Sequence, residues 1–388
     1  MRRVLVVHPW LNPPGGGRAV GAWTLEALRD AHQVDVLTWD PVDLAAINRQ
    51  FGTSLRAGDF RFHGVSPALH RLLPASAFRL WKRNYLFRIA QQRRAQYDVL
   101  ICTQNEADFG VRGIQYIHFP LFHDPRINPR VARPFEDLPN RWYHRSASFM
   151  RWYFRACGMD SWFSLSRVRD NLTLVNSEWT GRVVAQTYDV DPITLYPPVR
   201  SEFPDVPWAE RKRGFVCVGR IAEEKRLPMI IDILAGVRQR GHDVHLHIAG
   251  AGSDRDYCRV MRRLQQKHTS WVSLDVDLPH GELAELVSQH QFGIHGRAPE
   301  HFGIAVGEMV NAGCIVFVPN SGGQVEIVGN RGELIYDTPA DAVDKIDAVL
   351  SDSTRQAALR SYLASRRARF STAEFMRQMR TTIEQFAG

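Results

Sequence analysis

The 388-residue sequence lacks any apolar run approaching the roughly 18 residues that a membrane span requires, so no spanning helix is expected. It also lacks low-complexity tracts, and at 44% hydrophobic residues it carries enough apolar material to exclude disorder for the bulk of the chain. Cysteine is scarce. Cys102, Cys157, Cys217, Cys258 and Cys314 are odd in number, scattered and never spaced CxxC, which predicts reduced thiols in a cytoplasmic protein. HExxH and Cys/His clusters at zinc spacing are missing, and no DxD is expected between a strand and a loop, so no metal is expected. The opening Met1-Arg2-Arg3-Val4-Leu5-Val6-Val7 imitates a signal peptide but breaks at His8 and Pro9, which predicts no export.

Acidic residues are missing from one long stretch: Phe60 to Tyr97 carries eight basic side chains and no acidic one. The overall net charge of +8 is correspondingly uneven. Residues 1–170 hold 24 Lys and Arg against 14 Asp and Glu, whereas residues 171–388 hold 25 against 27. A negatively charged partner is therefore expected at the first half.

The chain that remains alternates strands and helices. Val4-Leu5-Val6-Val7, Val34-Asp35-Val36-Leu37, Asp98–Cys102, Gly113–Ile117 and Leu172–Val175 read as parallel strands, with a helix over Ala19–Leu28. The pattern breaks in a Pro-rich stretch from Tyr196-Pro197-Pro198-Val199 to Trp208 and then restarts. Strands are expected at Gly214–Val218, Val244–Gly250, Trp271–Leu274, Gly293–His295 and Cys314–Val318, with helices at Leu227–Val237, Tyr257–Gln266, Glu282–Val287 and Gly303–Asn311. This predicts an α/β protein of two Rossmann-like domains in series, facing across a cleft into which the carboxyl ends of both sheets point.

Three segments carry chemistry. Gly15-Gly16-Gly17 lies between a strand and a helix, where glycines permit close backbone approach and free amides face an anion. Gly219-Arg220 and Lys225 follow the first strand of the second domain, and a guanidinium fork with an ammonium point charge suits a diphosphate. Pro299-Glu300-His301-Phe302-Gly303-Ile304 leads into a helix that carries Glu308 two turns on. Carboxylates there can accept hydrogen bonds from vicinal hydroxyls, and the helix amino end can meet an anion.

These segments, in this order, resemble the retaining GT-B glycosyltransferases of family 4. Asn176-Ser177-Glu178-Trp179-Thr180, Tyr196-Pro197-Pro198-Val199 and Asn320-Ser321-Gly322-Gly323-Gln324-Val325-Glu326 add to the match. Gln115-Tyr116-Ile117-His118-Phe119-Pro120 and Gly293-Ile294-His295 look like the dolichol-pathway α-1,2-mannosyltransferase branch. The resemblance implies an acceptor-binding domain over residues 1–198, a nucleotide-sugar-binding domain over 199–370, and a helix over 371–388 packing back on the first. It implies that Arg220 and Lys225 neutralise the leaving diphosphate, while Gly16, Gly17, Gly219, Phe302 and the Gly303 and Ile304 amides help hold the donor. Glu308 would bind ribose hydroxyls and Glu300 the donor sugar. His118 would contact the sugar or the reacting hydroxyl, making it catalytic beside Glu300, Arg220 and Lys225. The implied reaction is metal-independent hexose transfer with retention, GDP-mannose favoured as donor, to a glycan or lipid-linked acceptor. A UDP-sugar-dependent glucosyl- or N-acetylglucosaminyltransferase is the alternative. Arg297 stands where small or polar residues are common in the family, which leaves sugar selectivity open.

Two stretches mix cations with aromatics: Leu72–Ile89, and Arg141 through Trp142, Tyr143, Arg145, Phe149, Arg151, Trp152, Tyr153 and Phe154 to Arg155. Basic aromatic helices can lie on an anionic membrane, so peripheral contact with the inner membrane face is expected. A pI near 9.4 also suits a nucleic-acid binder, yet no nucleic-acid motif is present and the Arg220, Lys225, Glu300 and Glu308 set would go unexplained. No nucleic-acid partner is expected.

Overall fold

The computed structural model describes residues 1–12, 15–65, 70, 73, 78–122, 152, 155–158, 163–252 and 254–388. The chain divides into two units, one of Met1–Pro198 with Ala373–Gly388 and the other of Val199–Thr372.

The first unit is built on seven parallel strands. They are β1 (Arg3–Val7), β2 (Gln33–Leu37), β3 (Phe60–His63), β4 (Val99–Cys102), β5 (Ile114–Ile117), β6 (Leu172–Val175) and β7 (Ile193–Thr194), in the order β3-β2-β1-β4-β5-β6-β7. β1 is central, with Val6 in register with Val36 on one side and Ile101 on the other. Successive side chains point to opposite faces. Val4 and Val6 therefore enter one apolar layer, and Leu5 and Val7 enter the other. The Thr372–Phe386 helix supplies Phe375, Met379 and Ile383 to the layer that holds Val4 and Val6. Arg380 Nε ties it to the Ala27 carbonyl at 2.6 Å.

The basic stretch differs from expectation. Its helix, Arg79–Arg93, turns its aromatics inward: Trp81 stacks on Tyr85 at 5.2 Å, and Trp39 meets both rings edge-on. Lys82 and Arg83 are buried, Lys82 over the Trp39 ring and Arg83 against Phe87, Phe122 and Phe163. Lys82 and Arg83 are thus spent on core rings, while Arg79 and Arg88 stay exposed. In the second stretch only Trp152 and Arg155 fall among the described residues.

The second unit has six parallel strands: β8 (Lys212–Val218), β9 (His245–Gly250), β10 (Val272–Val276), β11 (His290–Ile294), β12 (Ile315–Pro319) and β13 (Ile335–Tyr336). Their order is β10-β9-β8-β11-β12-β13. In both sheets the chain order reverses beside the first strand, between β1 and β4 and between β8 and β11. Ligands of doubly wound sheets bind outside the carboxyl ends of the strands at such a switch point. No described helix is long and apolar enough to cross a membrane.

Candidate donor-binding and catalytic site

In the second unit the residues after β8 and β11 converge at the switch point. Gly219 leaves β8 at φ +151°, and its amide donates to the Ala249 carbonyl at 3.1 Å. The crossing is so tight that a Cβ on Gly250 would stand 1.6 Å from the Gly219 carbonyl oxygen. Beyond it a single 3₁₀ turn, Glu223–Lys225, returns Lys225 towards the sheet. Lys225 Nζ donates to Glu300 Oε2 at 2.6 Å, and both side chains are only 12% exposed.

Glu300 is held from several sides. His295, at the end of β11, reaches the same Oε2 with Nε2 at 3.2 Å, and Arg297 Nη1 lies 3.8 Å from Oε1. Burial works against the Glu300 charge, but the His295 hydrogen bond and the neighbouring cations outweigh it. They hold the carboxyl well below the usual carboxylate range. Burial lowers the His295 pKa despite its bond to Glu300, so the ring is neutral and donates its Nε2–H. The Glu300 backbone is fixed by the Asn320–Gly323 turn: Gly323 N donates to Glu300 O at 2.9 Å. Gly322 has φ +89°, and a Cβ there would lie 2.0 Å from that oxygen. Gln324 Nε2 closes the loop through the Arg297 carbonyl at 2.8 Å.

Gly303, at φ +101°, caps the Ile304–Asn311 helix without a side-chain acceptor, leaving the first-turn amides directed out of the helix end. Glu308 lies on this helix; burial pushes its carboxyl up to about 7 against the opposing pull of the Arg200 charge. Arg220 is exposed and paired to Glu224 at 2.7 Å.

Phe302, expected to help hold the donor, lies inside the loop that carries Glu300. Its side chain is buried against Phe370, ring centroids 5.9 Å apart, so the ring packs the loop and any donor contact would fall to the backbone. A second correction concerns DxD: Asp275-Val276-Asp277 does end β10 at a strand-to-loop junction. Asp275 accepts from His247 Nε2, however, and Asp277 Oδ1 from Gly252 N at 2.9 Å, so both carboxylates are engaged locally. Among the described residues no group of three His, Cys, Asp or Glu converges as a metal site.

In the first unit Gly16 and Gly17 open the Gly16–Leu28 helix beyond β1, and a Cβ on Gly17 would stand 3.2 Å from His118 Nε2. His118 follows β5. Its amide donates to Asn105 Oδ1 at 2.9 Å, and its carbonyl accepts from Asn176 Nδ2 at 2.8 Å. His118 Nε2 lies 3.1 Å from the Thr103 carbonyl, which can only accept, so Nε2 carries the proton and Nδ1 is the acceptor. Burial pushes its pKa down to about 4, so the ring is neutral near pH 7. The structure thus gathers Gly16, Gly17 and His118 in one unit, and Gly219, Lys225, Glu300 and Gly303 in the other.

Sequence reasoning left His295, Asn105 and Arg200 without roles. His295 closes a strand and precedes Glu300 by five positions, and that spacing was the available signal.

Two parallel doubly wound domains with their polar residues at the switch points define the GT-B class. Residues 199–366 match the family model Glycosyl transferases group 1. The chain is 28% identical over 238 residues to GDP-Man:Man(3)GlcNAc(2)-PP-Dol alpha-1,2-mannosyltransferase of Homo sapiens, covering 55% of this chain and 48% of that protein. It spans about half the length of the first curated relatives it matches. Alpha-1,3/1,6-mannosyltransferase ALG2 of Homo sapiens is 23% identical over 386 residues, covering 92% of this chain and 89% of that protein. Among solved structures, Anabaena Alr3699/HepE in complex with UDP-glucose superposes with a TM-score of 0.66 at 14% identity, covering 99% of this chain and 100% of that one. That likeness is one of fold.

Proposed function

We propose that the protein is a retaining, metal-independent glycosyltransferase that moves a hexose, with GDP-mannose favoured as donor, to a hydroxyl of a lipid-linked or free glycan. The observation that carries this reading is the Lys225–Glu300–His295 constellation at the β8/β11 switch point of a Glycosyl transferases group 1 domain. An ionised Glu300 can accept hydrogen bonds from two donor-sugar hydroxyls. Lys225 and Arg220, with the Gly303 and Ile304 amides, stabilise negative charge developing on the departing diphosphate. Glu308 takes the ribose hydroxyls, and His118 accepts a hydrogen bond from the sugar or acceptor at Nδ1. The acceptor oxygen bonds to the anomeric carbon on the face from which the diphosphate leaves. The sugar–phosphate bond breaks, its electron pair stays on the phosphate oxygen, and that oxygen takes the acceptor proton. A GDP-mannose donor and a lipid-linked acceptor are supported by the human GDP-Man:Man(3)GlcNAc(2)-PP-Dol alpha-1,2-mannosyltransferase, and mannose also by ALG2. The burial of all five cysteine thiols supports placement in a reducing cytoplasm.

A UDP-hexose donor is the second reading, favoured by the Anabaena structure that holds UDP-glucose. Transfer assays with GDP-mannose, UDP-glucose and UDP-N-acetylglucosamine, with and without EDTA, test both. The expected result is an α-linked product from GDP-mannose, insensitive to EDTA, with kcat reduced about 100-fold or more in Glu300→Gln. A β-linked product, or full activity in Glu300→Gln, would overturn the mechanism. Turnover of UDP-sugars alone would replace the donor.

A further inference from the structure

A cavity of about 640 Å³ lies in the second unit away from the Lys225–Glu300 constellation. It is bounded by the linker after Arg200, by the carboxyl end of the Ile304–Asn311 helix and by the Ser353–Arg366 helix. That places it at the opposite end of the Ile304–Asn311 helix from Gly303. Its volume falls within the range of small-molecule sites.

Three guanidinium groups line it: Arg211, Arg360 and Arg367. Arg211 Nη1 donates to the Ala312 carbonyl at 2.8 Å, and Arg367 Nε to the Val310 carbonyl at 3.1 Å, so both are anchored by the helix carboxyl end. Arg360 instead lies over the Trp208 ring, 4.3 Å from its centroid. None of the three forms an ion pair with a carboxylate among the described residues; Asp205, on the wall, acts on Arg367 only through its charge. Burial and the mutual repulsion with Arg211 both lower the pKa of Arg360 and Arg367, the mark of cations gathered without enough counter-charge. Rigid guanidinium forks held by carbonyls and an aromatic ring are prepared for a multidentate oxyanion.

We propose that this cavity binds the phosphate group of a small phosphorylated metabolite, at a site separate from the donor site. The phosphate monoester sits among Arg211, Arg360 and Arg367, and the rest of the metabolite fills the cavity towards Trp208 and Asn311.

Isothermal titration of the full chain with glucose 6-phosphate and with inorganic phosphate, at low ionic strength, tests this. Saturable binding of glucose 6-phosphate is expected, weakened at least tenfold in Arg360→Gln and partly restored in Arg360→Lys, which keeps the charge but not the planar fork. Arg220→Gln, in the donor loop, should leave this binding unchanged while weakening GDP. No saturable binding, or binding lost in Arg220→Gln and untouched in Arg360→Gln, overturns the proposal. Phosphatidylglycerol vesicles form the last arm: binding to vesicles with none to glucose 6-phosphate would replace the metabolite by a lipid headgroup and overturn the proposal as stated.

Discussion

Glu308 shows how one residue couples the proposed chemistry to pH. Burial pushes its carboxyl up to about 7, while an ionised carboxylate is what two ribose hydroxyls need as acceptor. At pH 6 a group of pKa 7 is only about one-tenth ionised, so GDP affinity should rise as pH increases through 7. The stability contribution runs oppositely. A folded-state pKa above the unfolded value means stability that is fully present below the unfolded carboxyl pKa and lost as pH rises through about 7. Titration calorimetry with GDP at pH 6 and pH 8 checks the first effect. Glu308→Gln is expected to flatten the slope, and an undiminished slope in that variant would assign it to another group. Glu300 contrasts with Glu308: similarly buried, it stays ionised because Lys225, His295 and Arg297 surround it. Glu308 was legible in the sequence as a carboxylate on a largely apolar helix. Its raised pKa was not, because it comes from burial that only the packed fold completes, with Arg200 of the linker pulling the other way.

At the scale of elements, two loops do the positioning, and glycines set their geometry. Gly322 keeps φ +89° and leaves room for the Glu300 carbonyl, so Gly322→Ala must both strain the backbone and displace the Glu300 loop. A cost of about 2 kcal/mol in unfolding free energy is expected, with donor KM rising more than tenfold. Urea unfolding monitored by circular dichroism, beside steady-state kinetics, measures both, and an unchanged KM would mean that the loop is not held through Gly322. The strands with dense β-branched apolar runs were legible, β1 and β12 most clearly. β3, with Arg61 and Phe62 both exposed, and the two-residue β7 and β13 were not. Short edge strands carry too little periodic signal, and their pairing depends on the neighbouring strand. Aromatic and cationic composition likewise suggested a membrane-facing stretch over Leu72–Ile89, whereas Trp39 and Phe163, distant in sequence, draw the Trp81 and Phe87 rings of the Arg79–Arg93 helix inside.

On the scale of the whole molecule, the chain crosses between its units twice, and the Thr372–Phe386 helix completes the core of the unit it returns to. Ending the chain at Thr372 would remove Phe375, Met379 and Ile383, buried side chains worth about 2 kcal/mol each. That sum is comparable to the net stability of a domain. Calorimetry of the truncated chain is expected to show the first unit melting markedly earlier and the second unit unchanged. A first-unit transition that stays in place would mean the helix is dispensable. The charge asymmetry is likewise a property of the whole, since part of the excess in the first half is buried as Lys82 and Arg83 and is unavailable to a partner.

What the sequence by itself determined is the order of strands and helices, the break near residue 200 and the motifs beside each switch point. These depend on local periodicity and on residue types set a few positions apart. Only the tertiary structure decided which of those motifs touch. Lys225 and Glu300 are 75 residues apart, and they meet because β8 and β11 are adjacent although they are not consecutive in the chain. Sheet order is a long-range packing outcome, and with it came the ionised Glu300, the neutral His295 and the gathering of Arg211, Arg360 and Arg367 in one cavity.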